Sequence, residues 1–300
     1  MERRETVCMQ LFLLQFLNGF QLSMLVFLLA VGLTLIFGLM NILNLAHGAF
    51  FTMGAYFGLI IAKATGSFWA ALLIGPLLPF AAGFVLQFYV LQPLAERGRS
   101  THLDLALLTF GLLFATAGAV EYLYGSSFYS IATPDLLKGR IAFLGIGYPT
   151  YRLFIIAAGI SVAAALSQVI DRTLIGATLR AGVDNREMVT ALGININVLF
   201  ALVFGFGSAL AGFAGVVAAP VMSIYSNMGI GIVVTTFVVV VVGGLGNLKG
   251  SFYASLIVGM TDTFSQAFFP EAELFAVYAL LIVVMIIRPQ GLFGAVGRLA

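Results

Sequence analysis

The sequence predicts an all-α membrane protein, a polytopic helical bundle of about eight or nine transmembrane segments that forms one domain over residues 1–300. Composition is the first reason: hydrophobic residues make up 61% of the chain and charged residues 9%, whereas soluble domains carry roughly 25% charged residues. The second is a mean hydropathy of +1.10, with several apolar runs near the roughly 18 residues that cross a bilayer. The single cysteine, Cys8, excludes an intrachain disulfide and a cysteine-based metal site.

The apolar runs define the predicted spans in chain order. They cover residues 11–37, 49–62, 68–91, 103–124, 151–170, 198–219, 232–242, 251–268 and 274–287. The first is read as a retained span rather than a signal peptide, because no small-residue cleavage motif follows it. The second has about 14 residues, which is short for a full span. Residues 125–150, with several glycines and prolines, are expected to form the longest irregular connection.

Two glycine-rich breaks interrupt the apolar runs. Residues 38–48 read GLMNILNLAHG, and residues 243–250 read GGLGNLKG. Irregular backbone at membrane depth is tolerated only inside protein or beside water, so we expect broken or re-entrant elements at both places. The stretches NLAHGAFF, from Asn44, and NLKGSFY, from Asn247, are similar once one residue is deleted. They indicate an internal repeat of the kind that forms transport pathways, with a chance match as the alternative.

Five polar residues in or beside the apolar runs are candidates to line a pathway: Asn41, Asn44, His47, Asn247 and Asp262. Four of them fall in the two breaks, and Asp262 is about three turns into its span. Ionisable residues inside a membrane usually have a function, although for His47 a hydrogen-bonded structural role is the favoured alternative. The sequence shows no ladder of buried acids or histidines, which argues against a proton-driven pump without excluding one.

The sequence lacks the motifs of an enzyme. H-E-x-x-H and G-x-S-x-G are both missing. The run GGLGNLKGS superficially resembles a phosphate-binding loop, but its lysine precedes the glycine, the reverse of the order that such a loop needs. We therefore expect no nucleotide site, no cofactor, no metal and no catalytic residue in this chain.

The connection over residues 171–197 is unusually polar. Of the chain's 14 basic and 12 acidic residues, six lie between residues 171 and 187. When this connection is placed in the cytoplasm and the spans alternate, eight cationic side chains fall inside and four outside. The inner set is Arg97, Arg99, Arg172, Arg180, Arg186, Lys249, Arg288 and Arg298, and the outer set is Lys63, Lys138, Arg140 and Arg152. This asymmetry follows the positive-inside rule, so we expect residues 171–197 to be a cytoplasmic loop.

This loop has the pattern of an ordered helical element. Asp184 is expected to be the N-cap of a helix over residues 185–192, with Glu187 completing a capping box and Gly193 ending the helix. A second short helix is expected just upstream, ended by Gly182.

Met188, Val189 and Leu192 fall on one face of the predicted helix, at spacings of three and four residues. A capped amphipathic helix between two spans indicates that a partner docks on it, as a helix enters a groove. The alternative is a helix that lies on the membrane surface. The residues expected to couple to a partner are Asp184, Arg186, Glu187, Met188, Leu192 and Gly193.

Four segments resemble the permeases of branched-chain amino acid ABC importers. They are GLTLIFGLMNILNLAHGAFFTMGAYFG, GATLRAGVDNREMVTALGIN, VVVGGLGNLKGSFYASLIVG and RPQGLFG, in that order. The second is similar to the cytoplasmic coupling loop of that family, and the resemblance extends over residues 16–294. Glu187 and Gly193 match the Glu and Gly of the broader E-A-A-x-x-x-G permease loop. Met188 and Val189 replace its two alanines, and the downstream I-x-L-P is absent.

The resemblance implies a permease subunit without an ATPase of its own. Two such subunits, identical or different, would form the pathway, and two cytoplasmic ABC ATPases would dock on their coupling helices. A periplasmic or lipid-anchored substrate-binding protein would deliver the substrate. The chain would be a multi-pass protein of the bacterial inner membrane, in contact with lipid and not with nucleic acid. The family's substrates also include other amino acids, amides and urea.

Two other classes of protein stay open at this point. A self-sufficient secondary transporter or channel for a small polar solute would carry its substrate without ATPases. A structural scaffold in the membrane would not explain two polar breaks at membrane depth.

Overall fold

The computed structural model describes residues 2–40, 43–96, 101–143 and 146–294. In these parts of the chain the regular structure is helical apart from one small hairpin. The helices are α1 (Glu2–Met40), α2 (His47–Thr65), α3 (Phe68–Ile74), α4 (Leu77–Val85), α5 (Gln92–Glu96), α6 (His102–Tyr124), α7 (Thr150–Arg172), α8 (Leu174–Asp184), α9 (Arg186–Ala191), α10 (Ile196–Ala218), α11 (Met228–Gly243), α12 (Leu248–Phe268) and α13 (Glu273–Ile287). The shorter elements are a π-helical turn, Leu86–Leu91, two 3-10 turns, Asp135–Leu137 and Pro270–Ala272, and the hairpin strands β1 (Arg140–Phe143) and β2 (Ile146–Pro149).

Six helices of the described chain are long and apolar enough to cross a membrane. They are Met9–Met40, His47–Thr65, Phe68–Glu96, His102–Tyr124, Thr150–Arg172 and Ile196–Ala218. The third is composite, because it is made of α3, α4, the π-helical turn and α5. These helices confirm the prediction of an all-α, multi-pass membrane protein. The expected eight or nine segments include α11, α12 and α13, which lie outside this set of six.

The longest helix, α1, lies at the centre of the bundle and runs antiparallel to α12. Gly19 of α1 lies against Met260, and Gly38 lies against Gly246, shortly before α12 begins. Between these two contacts, Leu28 has no exposed surface. The N-terminal part of α1 and the C-terminal part of α12 therefore share one end of the bundle.

Helices α2 and α10 approach so closely that their backbones touch. A Cβ atom added to Gly54 would overlap the backbone of Gly212, and one added to Gly215 would overlap the carbonyl group of Phe51. Small residues permit such an approach between membrane helices, whereas larger side chains would push the helices apart. Glycine spacing thus fixes the position of α2, the helix that follows the first break.

The chain breaks where the sequence predicts breaks. Helix α1 ends at Met40 and α2 begins at His47, while α11 ends at Gly243 and α12 begins at Leu248. In the second break, Gly244 has a φ of +96°, in the left-handed region that favours glycine. The turn before α12 therefore requires this glycine because of its backbone geometry.

The two similar stretches each precede a helix, but their asparagines differ in role. Asn247 caps α12: its Oδ1 accepts a hydrogen bond from the Gly250 N–H at 2.9 Å, and its Nδ2 donates one to the Phe293 carbonyl at 2.7 Å. Asn44 lies three residues before the start of α2, and its side chain has no hydrogen-bond partner among the described residues. The internal repeat therefore stays a prediction.

The polar connection differs from its predicted helices in two places. Helix α8 runs through Gly182, which is buried against Ile196 instead of ending the helix. The N-cap of α9 is Asn185, whose side chain accepts a hydrogen bond from the Met188 N–H at 2.9 Å, so the prediction that Asp184 is the cap is wrong. The predicted capping box with Glu187 is wrong for the same reason, because Met188 occupies the third position after the cap. Because α8 continues to Asp184, the extended residue between the two helices is Asn185, with φ −151° and ψ 93°.

The end of α9 is the one predicted, but its apolar face is split. Gly193 follows this helix with a φ of +83°, which confirms that it ends there. Val189 is 3% exposed and packs with Ile196 of α10, whereas Met188 and Leu192 are 60% and 73% exposed. One side of α9 therefore packs on α10, and the other is open to a partner.

The connection predicted to be irregular contains ordered structure. Strands β1 and β2 pair antiparallel, and the hydroxyl of Tyr148 in β2 donates a hydrogen bond to the Leu17 carbonyl of α1 at 3.0 Å. Burial raises the pKa of Tyr148, so this hydroxyl stays a donor to a higher pH than that of an exposed tyrosine. Nearby, Tyr129 and Ile224 exchange main-chain hydrogen bonds of 2.9 and 2.8 Å, which join the loop after α6 to the loop after α10.

The contact between α2 and α10 gives a prediction about stability. Gly54→Ala places a methyl group inside the backbone of Gly212 and is expected to destabilise the protein by about 1–3 kcal/mol, as overpacking does. Gly111→Ala is the matched control, because it lies in membrane helix α6 but its Cβ would meet nothing within 4 Å. Thermal unfolding of the purified protein in detergent measures both variants, and equal melting temperatures would contradict the close contact.

Candidate functional site

Two membrane helices begin side by side in the middle of the bundle. Helix α2 starts at His47 and α11 starts at Met228, and their second residues, Gly48 and Gly229, lie in backbone contact. The position of these helix starts along the bundle follows from a contact with α1. Nε2 of His47 lies 2.9 Å from the carbonyl oxygen of Leu29, which is near the middle of the apolar part of α1, and this level is called mid-depth below. The start of α2 therefore lies level with the middle of α1, well back from the end of that helix at Met40.

From this point the two helices run to opposite ends of the bundle. Gly58 of α2 packs against Val216, close to the C-terminal end of α10, whereas α11 ends near the contact between Gly38 and Gly246. Within the described chain neither helix start has a side-chain cap. Helix starts carry partial positive charge, and discontinuous helices that meet at mid-depth are the elements with which many transporters bind polar substrates.

Asn44 and His47 lie at this point and have no exposed surface. In the parts of the chain that the structure describes, three of their polar atoms have no hydrogen-bond partner: Nδ2 and Oδ1 of Asn44 and Nδ1 of His47. A buried donor or acceptor without a partner costs about 1–3 kcal/mol. These three atoms therefore form a buried polar cluster in an otherwise apolar bundle. A bound polar molecule would supply their missing hydrogen bonds.

Thr109 of α6 holds the segment between α1 and α2 in place. Its hydroxyl accepts a hydrogen bond from the Leu45 N–H at 3.1 Å and lies within donating distance of the carbonyl groups of Leu43, at 3.3 Å, and Ala106, at 2.9 Å. Thr109 has no exposed surface. Because main-chain groups at membrane depth need partners inside the protein, Thr109 is a positioning residue for Asn44.

The other pathway candidates lie elsewhere. Asn41 is outside the described residues. Asn247 is at the start of α12 with its carboxamide engaged in the helix cap, and Asp262 is half-buried about four turns further along that helix. Among the candidates in the described residues, only Asn44 and His47 lie together. A pathway role for all five stays a prediction.

The residues expected to couple to a partner lie together on α8, α9 and the turn after them. All six are exposed: Asp184, Arg186, Glu187, Met188, Leu192 and Gly193. Leu174 and Ile175 of α8 add apolar surface, with 86% and 59% of each residue exposed. A cluster of exposed large apolar side chains in a polar connection is typical of an interaction site.

Arg186 also forms a link within the protein. Its Nη2 donates hydrogen bonds to Oε1 of Glu96, at 2.9 Å, and to Oδ1 of Asn197. The guanidinium lies 5.8 Å from the centre of the Phe200 ring, a cation–π distance. Arg186 therefore connects α9 to the end of the third span and to the beginning of α10.

Sequence reasoning missed four polar residues that the structure makes prominent: Thr109, Gln87, Gln92 and Glu96. Gln87 and Gln92 carried a signal, because they are two glutamines at the end of an otherwise apolar run. Thr109 and Glu96 carried none, since a threonine is common in a membrane helix and Glu96 lies beside a charged loop. Their roles depend on residues that are about 60 to 90 positions away in the chain.

A multi-pass helical bundle with helices that start at mid-depth, and with short exposed helices between two spans, has the architecture of a transport permease. The chain belongs to the family described as "Branched-chain amino acid transport system / permease component", whose sequence pattern matches residues 15–285. The resemblance inferred from the four segments is confirmed.

Individual relatives extend over nearly the whole chain. The high-affinity branched-chain amino acid transport system permease protein BraD of Pseudomonas aeruginosa is 27% identical, over 94% of this chain and 96% of BraD. The permease protein LivH of Escherichia coli K12 is 28% identical, over 94% of this chain and 96% of LivH. LivM of the same organism is 28% identical, over 90% of this chain and 68% of LivM. Among solved structures, PsaBC from Streptococcus pneumoniae in complex with Fab matches with a TM-score of 0.49 and 14% identity over 91% of each chain.

The contacts of Thr109 give a prediction about the site. Thr109→Val keeps the shape of the side chain but leaves the Leu45 N–H without its partner, and is expected to cost about 1–3 kcal/mol and to lower substrate uptake several-fold. Thr109→Ser keeps the hydroxyl and is expected to retain uptake. Thermal unfolding and uptake per folded protein measure both variants; identical behaviour of Val and Ser would show that the hydroxyl does not position this segment.

Proposed function

We propose that this chain is the membrane-spanning permease subunit of an ABC importer, which carries branched-chain or related amino acids across the bacterial inner membrane. ATP hydrolysis on separate ATPase subunits would drive the transport, and the chain has no nucleotide site of its own. The family match over residues 15–285 carries this proposal. The pair of helix starts at mid-depth and the exposed helices α8 and α9 supply the two sites that such a subunit needs.

In this proposal the substrate passes the point where α2 and α11 begin. The partial positive charge of the two helix starts attracts the carboxylate of an amino acid. The carboxamide of Asn44 offers one acceptor and two donors to the ammonium and carboxylate groups. Because Asn44 and His47 are fully buried, substrate reaches them only after the surrounding helices separate.

The coupling proposal follows a chain of contacts. An ATPase that binds Met188 and Leu192 on the exposed side of α9 also moves Val189, which packs against Ile196 of α10. Helix α10 is in backbone contact with α2 through Gly54 and its neighbours, so a shift of α10 reaches the start of α2. ATP-driven closure would thus favour one arrangement of the pathway over the other.

The proposed topology has nine helical segments and an N-terminus outside the cell. The six long helices are joined by α11, α12 and α13, of which α11 starts at mid-depth. With α8 and α9 in the cytoplasm, the end of the bundle that contains the contact between Gly38 and Gly246 faces inward. The N-terminal part of α1, which lies at the other end, then faces outward.

The proposed partners are a second permease, two cytoplasmic ABC ATPases and a substrate-binding protein. Similarity to both LivH and LivM, two permease proteins of Escherichia coli K12, supports pairing with a related but different permease. Lipid surrounds the remaining apolar surface, and nucleic acid has no role.

A self-sufficient secondary transporter or channel is the competing function. It predicts that the chain alone takes up substrate into liposomes in response to an ion gradient, whereas the importer predicts no uptake without its ATPases, partner permease and binding protein. If the chain is an importer subunit, an amide or urea is the alternative substrate. Competition experiments, in which unlabelled amino acids, amides and urea compete with the labelled substrate for uptake, distinguish these substrates.

The proposed docking surface predicts the outcome of co-purification with a cognate ABC ATPase. Met188→Asp with Leu192→Asp is expected to reduce the retained ATPase at least about tenfold, because each substitution would bury an unpaired carboxylate in the interface. Leu136→Asp is the matched control, since Leu136 is 81% exposed but lies in the loop after α6. Retention by the parent and by the control, with loss in the double variant, supports the proposal.

Two other outcomes of that experiment have different meanings. Equal retention by all three proteins would place the docking surface elsewhere. Failure of a demonstrably functional ATPase to bind the parent would favour the self-sufficient transporter.

The unpartnered carboxamide of Asn44 separates function from stability. Asn44→Leu removes polar atoms that make no hydrogen bond with the described residues, so it is expected to leave the protein as stable as the parent, or up to about 1–3 kcal/mol more stable, while uptake falls at least about tenfold. Thr34→Val is the contrasting control, because the hydroxyl of Thr34 lies 2.6 Å from that of Ser251; it is expected to lose stability and to keep uptake per folded protein. Full uptake by Asn44→Leu would remove Asn44 from the pathway.

A further inference from the structure

A cavity of about 350 Å³ lies between the third span and helices α8 and α9, at the end of the bundle that the proposed topology places in the cytoplasm. The end of α1 and the first turns of α10 also line it. It is separate from the mid-depth point, because none of its lining residues belongs to α2 or α11. Its volume falls in the range of about 300–1,000 Å³ that is usual for small-molecule sites.

The polar side of this cavity contains two buried glutamines. Gln87, in the π-helical turn, is 3% exposed and Gln92, at the start of α5, is 8% exposed. Each has a side-chain oxygen that meets no hydrogen-bond donor within the described ranges. The Nε2 of Gln92 donates to Oε1 of Glu96 at 3.2 Å, so one glutamine is already oriented by a carboxylate at the same wall.

Charged side chains of both signs line the same cavity as these two glutamines. Glu96 and Arg186 line the cavity and form an ion pair of 2.9 Å between Oε1 and Nη2. The hydrogen bonds of the guanidinium to Glu96 and Asn197 both use Nη2, and a guanidinium has five N–H donors. Donors for a carboxylate and acceptors for an ammonium group are thus present at one wall.

Apolar side chains also line the cavity. They are Leu39 and Met40 of α1 and Phe200 of α10, whose ring lies beside the Arg186 guanidinium. A zwitterion with an aliphatic side chain matches this set of groups: its ammonium group would bind the glutamine oxygens and Glu96, its carboxylate would bind Arg186, and its side chain would lie against Leu39 and Met40. A sugar would leave these apolar side chains without a matching group.

We propose that this cavity binds the imported aliphatic amino acid from the cytoplasmic side, and that the bound amino acid slows further import. The proposal rests on the proposed function, since it identifies the ligand with the substrate carried. Import slows because of where the molecule binds. A molecule held by both Glu96 of α5 and Arg186 of α9 stabilises the present arrangement of these two helices. A ligand that binds one arrangement better than another shifts the equilibrium toward it, so the coupling helix moves less readily when the product accumulates.

The test uses the complete transporter, with its partner permease, ATPases and binding protein, in proteoliposomes whose lumen represents the cytoplasm. ATP and increasing unlabelled leucine are placed in the lumen, and initial uptake of labelled leucine from outside is measured. Uptake by the parent is expected to fall as luminal leucine rises. Gln87→Leu with Gln92→Leu is expected to import normally without luminal leucine and to need at least about tenfold more of it for half inhibition.

Two further variants test whether a loss of inhibition is specific to the cavity. Gln21→Leu is the matched control, because Gln21 is also buried, at 7% exposure, but lies in the outer half of α1; it is expected to keep the inhibition. Ala95→Trp fills the cavity from an exposed lining position and is expected to abolish the inhibition even if the double glutamine variant fails to fold.

The outcomes separate this proposal from the proposed function. Normal import by the parent without inhibition by luminal leucine, or equal inhibition of the parent and the cavity variants, overturns the site and leaves the importer intact. If the parent imports nothing, the cavity site is tested by measuring the binding of labelled leucine to the solubilised complex in the absence of the binding protein. Binding that is lost in Ala95→Trp and in the double variant supports the site, and absence of binding by the parent overturns it.

Discussion

The backbone contact between α2 and α10 is the constraint on which the mid-depth site depends. Irregular main chain at membrane depth is stable only where protein surrounds it. The segment before His47 meets this condition because glycines bring α2 against α10, and because Thr109 supplies hydrogen bonds from the other side. Residues with the smallest side chains thus decide where the chain can leave the helical conformation, and the buried Asn44 lies at this place.

Unpartnered polar atoms within the described ranges concentrate in two places. One group belongs to Asn44 and His47 at mid-depth, and the other to Gln87 and Gln92 beside the coupling helices, with the Tyr56 hydroxyl as the remaining atom. Native proteins leave few buried polar groups without partners, so these positions carry a cost that packing alone does not explain. They lie near the two ends of the path of contacts that leads from α9 through α10 to α2, where movement and binding would meet.

Composition and hydropathy predict the fold class because they are properties of whole segments, and the breaks were predictable because glycine and asparagine clusters are rare inside apolar runs. The cap of α9 was not predictable, since Asp and Asn are equally good caps and only the packing of Gly182 on Ile196 shows that α8 continues. The site was half predictable. Asn44 and His47 stand out in the sequence, but the contact between His47 and Leu29, 18 residues apart, arises only from the way the helices pack.

The hydrogen bonds between Tyr129 and Ile224 join two loops that belong to different helix pairs. The ammonium group of Lys63, near the end of α2, lies 4.9 Å from the centre of the Tyr129 ring and brings a third element to the same place. These contacts link the ends of α2, α6 and α10. The three helices cannot separate at this end unless the contacts break or the linked ends move together. Opening on this side therefore involves residues of the surface loops as well as the helices in the membrane.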